Sequence, residues 1–191
     1  MKFVIVSGSL DADSRSRRLA EFAGRIVTGA GHDVAMLDLR DVVLPPFDND
    51  CAYDDPVVAE LHAAIGSSDG VFIASPVYNW GLSSAVKNLI EHTGATSENI
   101  RRGAWFDKVV TFLCAGGLPH SYMAYSSLAM ALMLDFKCVI NPYQVYASER
   151  DWADDREPSA ALGARLEKAI AVKLELAAAL RNRTYRSDWE I

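Results

Sequence analysis

The residues of this sequence that can do chemistry fall in three short segments. The first reads Ser7-Gly8-Ser9-Leu10-Asp11-Ala12-Asp13-Ser14-Arg15-Ser16-Arg17-Arg18. Its hydroxyls at Ser9, Ser14 and Ser16 and its arginines fit a phosphate monoester held against the backbone N–H groups of a helix N-terminus. They fit equally well a plain helix start, capped by Asp13 or Ser14, with the arginines on a solvated face. A Gly-Lys-Ser/Thr ending and a GxGxxG turn are both missing, which counts against a nucleoside triphosphate or a dinucleotide. The second segment, Ser75-Pro76-Val77-Tyr78-Asn79-Trp80-Gly81, places two aromatics and a stiff proline together. Such a loop can border a flat heteroaromatic ring, with Asn79 and free amides reaching the ring edge. Alternatively its aromatics pack on the protein's own surface or on a second subunit. The third, Ala115-Gly116-Gly117-Leu118-Pro119-His120-Ser121-Tyr122, has paired glycines that let backbone approach a ligand closely. His120 is either a proton donor or a helix-start residue, and Tyr122 either lines a pocket or packs inside the following helix.

The elements that must position these segments follow from the hydrophobic pattern. Apolar, β-branched runs at 2–7, 33–38, 70–75, 108–114 and 137–146 alternate with amphipathic stretches, the order expected of βαβ units. Helices are expected from near Ser14 to Gly29, from Pro56 to near Ser67, and over 83–93, 121–134 and 158–182, the last with Pro158 in its first turn. The helix at 121–134 is apolar nearly all round, which predicts burial by its own core and by a partner. An irregular stretch at 44–55 is long for a connector and is expected near a site. Five strands with crossover helices predict an α/β, flavodoxin-like three-layer sandwich. Its five-stranded parallel sheet has order 2-1-3-4-5 and helices on both faces. The expectation is one domain over 1–191, with a core at 1–150, a closing helix at 158–182 and a tail at 183–191. The tail is expected to clamp a neighbouring subunit through Tyr185 and Trp189. Ligands in such sheets bind beyond the carboxyl ends of the strands, between the first and third, where all three segments converge.

Bulk composition narrows the field without naming the chemistry. The chain has 191 residues, 50% of them hydrophobic, which is too apolar for disorder and enough for a sizeable core. No run is long and apolar enough to span a bilayer, and the formal charge of −6 counts against nucleic acid as a partner. Cys51, Cys114 and Cys138 have neither metal-ligand spacing nor the even count of a disulfide framework, so a reducing cytoplasm is the expected location.

A phosphate cradle, an aromatic ring-binding loop and a glycine loop at one switch point suit a mononucleotide with a flat ring, which points to FMN. On Gly8-Ser9-Leu10…Ser14-x-Ser16-Arg17…Leu19-Ala20, Ser75-Pro76-Val77-Tyr78-Asn79 and Lys87-Asn88, the chain resembles the NADPH-dependent FMN reductase family, roughly over 1–150. The resemblance implies that Ser9, Ser14, Ser16 and Arg17 surround the FMN phosphate, with Leu10 also among the cofactor-binding residues, that Pro76, Val77, Tyr78, Asn79 and Trp80 border the isoalloxazine, and that Gly116 and Gly117 approach its far edge. His120 and Tyr122 are the candidates on the substrate side. It implies hydride transfer from NADPH or NADH through the flavin to a small acceptor, and a homodimer or homotetramer with no membrane or nucleic-acid partner. Amides near Gly116 and Gly117 are candidate donors to the reduced flavin. Departures from the family pattern are Asp11 in place of an arginine, Ser16 for an asparagine, Val77 for a glutamate, Trp80 for a small or polar residue, and His120 and Ser121 for glycines. A flavodoxin-type electron carrier and a non-catalytic flavin-binding or scaffold module are the alternative readings.

Overall fold

The computed structural model describes residues 1–48, 55–94, 102–153 and 156–188. Its strands are β1 (Lys2–Ser7), β2 (Asp33–Asp38), β3 (Gly70–Tyr78), β4 (Gly81–Leu82), β5 (Val109–Ala115), β6 (Val139–Ile140) and β7 (Val145–Ala147). Its helices are α1 (Arg15–Gly29), α2 (Pro56–Gly66), α3 (Ser84–Gly94), α4 (Ser126–Phe136) and α5 (Ala160–Arg181). The sheet runs β2-β1-β3-β5, and β6 and β7 together form the strand beyond β5, all parallel. This is the flavodoxin-like order expected from the hydrophobic pattern.

Period-two alternation explains why the central strands bury both faces. Phe3 and Ile5 of β1, with Phe72 and Leu113, join the core beneath α1 and α5. Val4 and Val6, with Ile73 and Phe112, join the core beneath α2, α3 and α4. Both layers converge on β1 and β3, whose carboxyl ends carry the first two chemical segments.

Several boundaries differ from the pattern-based expectation. The third strand continues to Tyr78, and the expected loop at 76–82 is a tight hairpin in which β4 pairs antiparallel with β3. Asn79 and Trp80 at its tip have φ of 49° and 63°, the two left-handed residues of a type I′ turn. The helix expected from residue 121 begins at Ser126, after two turns, and Tyr125 at its start makes no side-chain capping bond. Ala129, Leu132 and Phe136 face inward, whereas Met130, Met133 and Leu134 are exposed. The strand expected over 137–146 is interrupted by Asn141-Pro142-Tyr143-Gln144. There, side chains replace the ladder: Phe112 N–H donates to Gln144 Oε1, and Asn141 Nδ2 reaches Thr111 Oγ1 and the Ala169 carbonyl. The last helix begins at Ala160 with Ser159 as its cap, and Pro158 bridges to Trp152 instead of opening the helix. The tail docks on its own chain, where Asp107 accepts from Ser187 N–H and Oγ. Trp189, like Cys51, lies outside the described residues.

Candidate functional site

The three chemical segments meet because backbone is pinned to backbone at the end of β1. Gly8 N–H donates to the Ala74 carbonyl at 2.7 Å, and Ser83 Oγ donates to the Gly8 carbonyl at 2.6 Å. A side chain at Gly8 would collide with Val86, so only glycine permits this approach. Ser75 Oγ accepts from Ser83 N–H at 3.0 Å, which ties the hairpin to the same point. The result is a cavity of about 560 Å³ beyond the carboxyl ends of β1, β3 and β5.

One end of the cavity is rich in hydroxyls. Ser9, Ser14 and Ser16 line it, each almost fully buried, and Ser14 Oγ lies 2.8 Å from Ser16 Oγ. Ser14 also caps α1, accepting from Arg17 N–H, so hydroxyls and unpaired helix amides face the same space. Pro76, Val77 and Tyr78 border the cavity on the β3 side, and Ala115, Gly116 and Gly117 on the β5 side. Gly116 cannot carry a side chain without striking the Tyr146 hydroxyl, which donates to the Leu118 carbonyl. Gly116 N–H is spent on the Ala147 carbonyl at 2.9 Å, leaving Gly117 N–H as the amide with no backbone partner among the described residues.

The charged lining is balanced. Arg15, Arg18 and Arg156 face the cavity, and so do Asp11, Asp13 and Glu149. Arg18 and Arg156 both pair with Asp13, and Arg15 pairs with Glu149 at 3.1 Å. Arg156 and Glu149 come from the segment after β7, where the sequence pattern predicts no site residue. Trp152 and Ala153 of that segment also line the cavity. That segment is held down by Arg165 and Ser148, which both bond Asp151 and keep its carboxyl below the usual range despite partial burial.

Not every residue singled out in the sequence reaches this cavity. The Arg17 guanidinium lies behind the first loop, donating to the carbonyls of Ala12 and Ser9. Its Nη2 donates to Asp38 Oδ1 at 3.0 Å, while Nε lies 2.8 Å from Oδ2 but off the hydrogen-bonding axis. It braces the loop and does not line the cavity. Leu10 faces away into a separate apolar groove of about 800 Å³ between the 42–47 stretch and α3. Asn88 fixes that groove, bonding Phe47 N–H and the Pro45 carbonyl. Asn79, Trp80, His120 and Tyr122 also fall outside the cavity lining. Trp80 stacks on His120 with ring centroids 5.9 Å apart, joining the hairpin tip to the third segment.

The donor set accommodates FMN. The hydroxyls and helix amides suit a phosphate, the arginines can exchange a carboxylate for it, and the wall of Pro76 to Tyr78 opposite two glycines suits a flat ring. The buried Trp152 Nε1, without a hydrogen-bond partner among the described residues, is a further donor beside the cavity.

Comparison with known proteins bears on the same region. The sequence profile of the family described as NADPH-dependent FMN reductase matches residues 1–152. The chain belongs to this family. The FMN reductase (NADPH) of Pseudomonas aeruginosa is 28% identical over 172 residues, covering 88% of each chain. A probable NADPH:quinone oxidoreductase 2 of Oryza sativa subsp. japonica is 27% identical over 148 residues, 74% of this chain and 70% of the relative. Among solved structures, the flavoenzyme NAD(P)H:(acceptor) oxidoreductase FerB of Paracoccus denitrificans superposes with a TM-score of 0.76. It is 20% identical, covering 93% of this chain and 97% of that one, and the likeness is one of fold. Membership of the NADPH-dependent FMN reductase family implies use of a flavin and NAD(P)H. Among the described residues no helix is long and apolar enough to cross a membrane, and no group of three or more His, Cys, Asp or Glu is placed to hold a metal ion.

Proposed function

We propose that the protein is an FMN-dependent NAD(P)H oxidoreductase that reduces a small acceptor such as a free flavin or a quinone. The observation that carries this reading is the convergence of a hydroxyl cradle, a proline-stiffened wall and a glycine edge on one cavity at the switch point. When bound, FMN supplies hydride transfer between the nicotinamide and the acceptor. The chain's own residues bind and orient. Ser9, Ser14 and Ser16 hold the phosphate with the amides of the α1 N-terminus, and Arg15, Arg18 and Arg156 neutralise it after releasing Asp13 and Glu149. Pro76, Val77 and Tyr78 would border the ring, and Gly117 N–H would be available to donate to its edge. Trp80 and His120, stacked at the rim, border the route by which donor and acceptor reach the ring.

The reading includes self-association as a homodimer or homotetramer, supported by the exposed apolar residues Met130, Met133 and Leu134 on α4. Light scattering on the purified chain tests that part. The catalytic part is tested by steady-state kinetics of FMN-reconstituted protein with NADPH and NADH. Oxidation of either, with flavin, quinone or azo acceptors, is expected; no turnover with any of them overturns the reading.

A further inference from the structure

A second charged cavity lies at the opposite, amino-terminal edge of the sheet. It consists of two adjoining hollows of about 310 and 300 Å³ that share Gly66, Asp107, Lys108 and Arg183. Arg102, Lys108, Arg181, Arg183 and Arg186 line them with His62 beside, against two carboxylates, Asp69 and Asp107. Among the described lining residues, four arginines and a protonated Lys108 against two carboxylates leave a local excess of three positive charges, in a chain whose formal charge is −6. Both carboxylates are already engaged. Asp107, whose side chain is 1% exposed, accepts from Arg102, Arg183 and Ser187, and Asp69 accepts from Lys2 N–H and pairs with Arg181.

Lys108 marks where an anion would sit. The residue is 8% exposed, and Nζ donates to the carbonyls of Gly66 at 2.8 Å and Ser68 at 2.7 Å. An ammonium has three donors, so one remains, and no ion pair to Lys108 exists among the described residues. Arg186, from the tail, likewise makes no ion pair among the described residues while lining the same hollow. A buried ammonium and several guanidiniums around one hollow recognise a compact, multiply charged oxyanion.

We propose that this basal cavity binds a phosphate-class oxyanion, either free phosphate or a phosphate monoester, between Lys108 and Arg102 on the body and Arg183 and Arg186 on the tail. Such an ion bridges the C-terminal segment to the start of β5, adding to the tie that Ser187 makes to Asp107. The site is remote from the flavin cavity and shares no residue with it.

The test uses the full chain saturated with FMN. Inorganic phosphate is titrated against sodium chloride of matched ionic strength and followed by thermal unfolding and calorimetry. Phosphate is expected to raise Tm by roughly 2–5 °C beyond the salt control. Arg186→Glu is expected to weaken phosphate binding at least tenfold without lowering Tm in chloride, whereas Ser16→Ala leaves it unchanged. Phenyl phosphate in a parallel titration separates the sources. Binding of equal strength assigns a monoester, and binding of inorganic phosphate alone assigns the free ion. No phosphate effect beyond the chloride control, or an effect that survives Arg186→Glu, overturns the proposal. An effect lost in Ser16→Ala instead assigns the phosphate to the flavin cavity and also overturns it. If the chain fails to take up FMN, the two variants still distinguish the sites, so this result stands apart from that of the flavin reading.

Discussion

Arg18 and Arg156 both direct their guanidinium groups at the carboxylate of Asp13, and Arg15 directs its own at Glu149, so the hydroxyl-rich end of the cavity, where a phosphate is proposed to bind, carries its own counter-ions. An arriving phosphate must take these arginines from carboxylates that then stand beside a dianion. Exposed pairs of this kind are worth little individually, so the exchange is feasible, but the residual carboxylate repels the ligand. Asp13→Asn is therefore expected to tighten FMN about two- to fivefold in a fluorescence-quenching titration, and more at low salt. The hydroxyls act in the other direction. Ser16 is buried, and its Oγ is already within hydrogen-bond reach of Ser14, so its group is fixed before the ligand arrives. Removing one hydrogen bond to a charged group costs about 1.5–3 kcal/mol. Ser16→Ala is expected to weaken FMN at least tenfold while leaving riboflavin, which lacks the phosphate, unaffected. Equal losses for both ligands would show that Ser16 does not face the phosphate.

At the scale of elements, the hairpin between β3 and β4 carries a cost that only its tip explains. Trp80 holds φ of 63°, a conformation that glycine adopts freely and that a bulky residue reaches at about 1–2 kcal/mol. Its return is the stack on His120, worth about 0.5–1.5 kcal/mol. The two nearly cancel. Trp80→Gly, which removes both, is expected to change stability by less than about 1 kcal/mol in denaturant titrations. Trp80→Ala, which keeps the strain and loses the stack, should cost about 1 kcal/mol. This hairpin also shows what the hydrophobic pattern could and could not reveal. Runs such as Val71-Phe72-Ile73-Ala74 announce a strand buried on both faces, and their order announces the sheet. The pattern stops at Pro76 because the strand leaves the core there, yet hydrogen bonding to β4 continues it to Tyr78. The gap at Asn141–Gln144 was hidden for the converse reason, since side chains of Asn141 and Gln144 substitute for a ladder that apolar neighbours lead one to expect. Likewise, the serines and glycines of the site were legible as chemistry at strand ends. Arg156, Glu149 and Trp152 were not, because they reach the cavity only through the packing of the segment after β7 on the start of α1. Arg17 misled for a related reason, because sequence gives its charge but not the side of the loop on which it lies.

For the molecule as a whole, the buried titratable groups set how stability depends on pH. Lys173 of α5 is fully buried, donates to the carbonyls of Val71 and Val109 at 2.7 Å each, and sits 4.2 Å from the centre of the Phe72 ring, with no carboxylate paired to it among the described residues. Burial holds its pKa well below the ordinary lysine range, and burial, with repulsion from Arg183, lowers Lys108 to about 8. Burial also raises the thiols of Cys114 and Cys138 to about 12. For a lysine depressed in the folded state, the unfolded chain binds more protons between the two pKa values, so stability rises with pH over that interval. Each lysine contributes above its own lowered value, Lys108 from about 8 and Lys173 from well below the ordinary lysine range, at up to about 1.4 kcal/mol per pH unit until unfolded lysine itself titrates. The thiols have the opposite sign, because above their ordinary value of 9.0 the unfolded chain releases protons that the folded chain retains. Two lysines opposed by two thiols predict a stability that climbs as pH rises towards about 9 and then levels, turning down as unfolded lysine titrates above about 10. Urea titrations across that range measure the curve, and Lys173→Met tests its origin. The substitution strips a donor from two sheet carbonyls, so absolute stability is a poor guide and the slope is the readout. Between about pH 8 and 9 the slope should fall by about half in Lys173→Met, leaving the part that Lys108 contributes. A slope equal to that of the unaltered protein would mean that Lys173 keeps its proton in the folded chain, with the two carbonyls and the Phe72 ring sufficient to hold an ammonium inside the sheet.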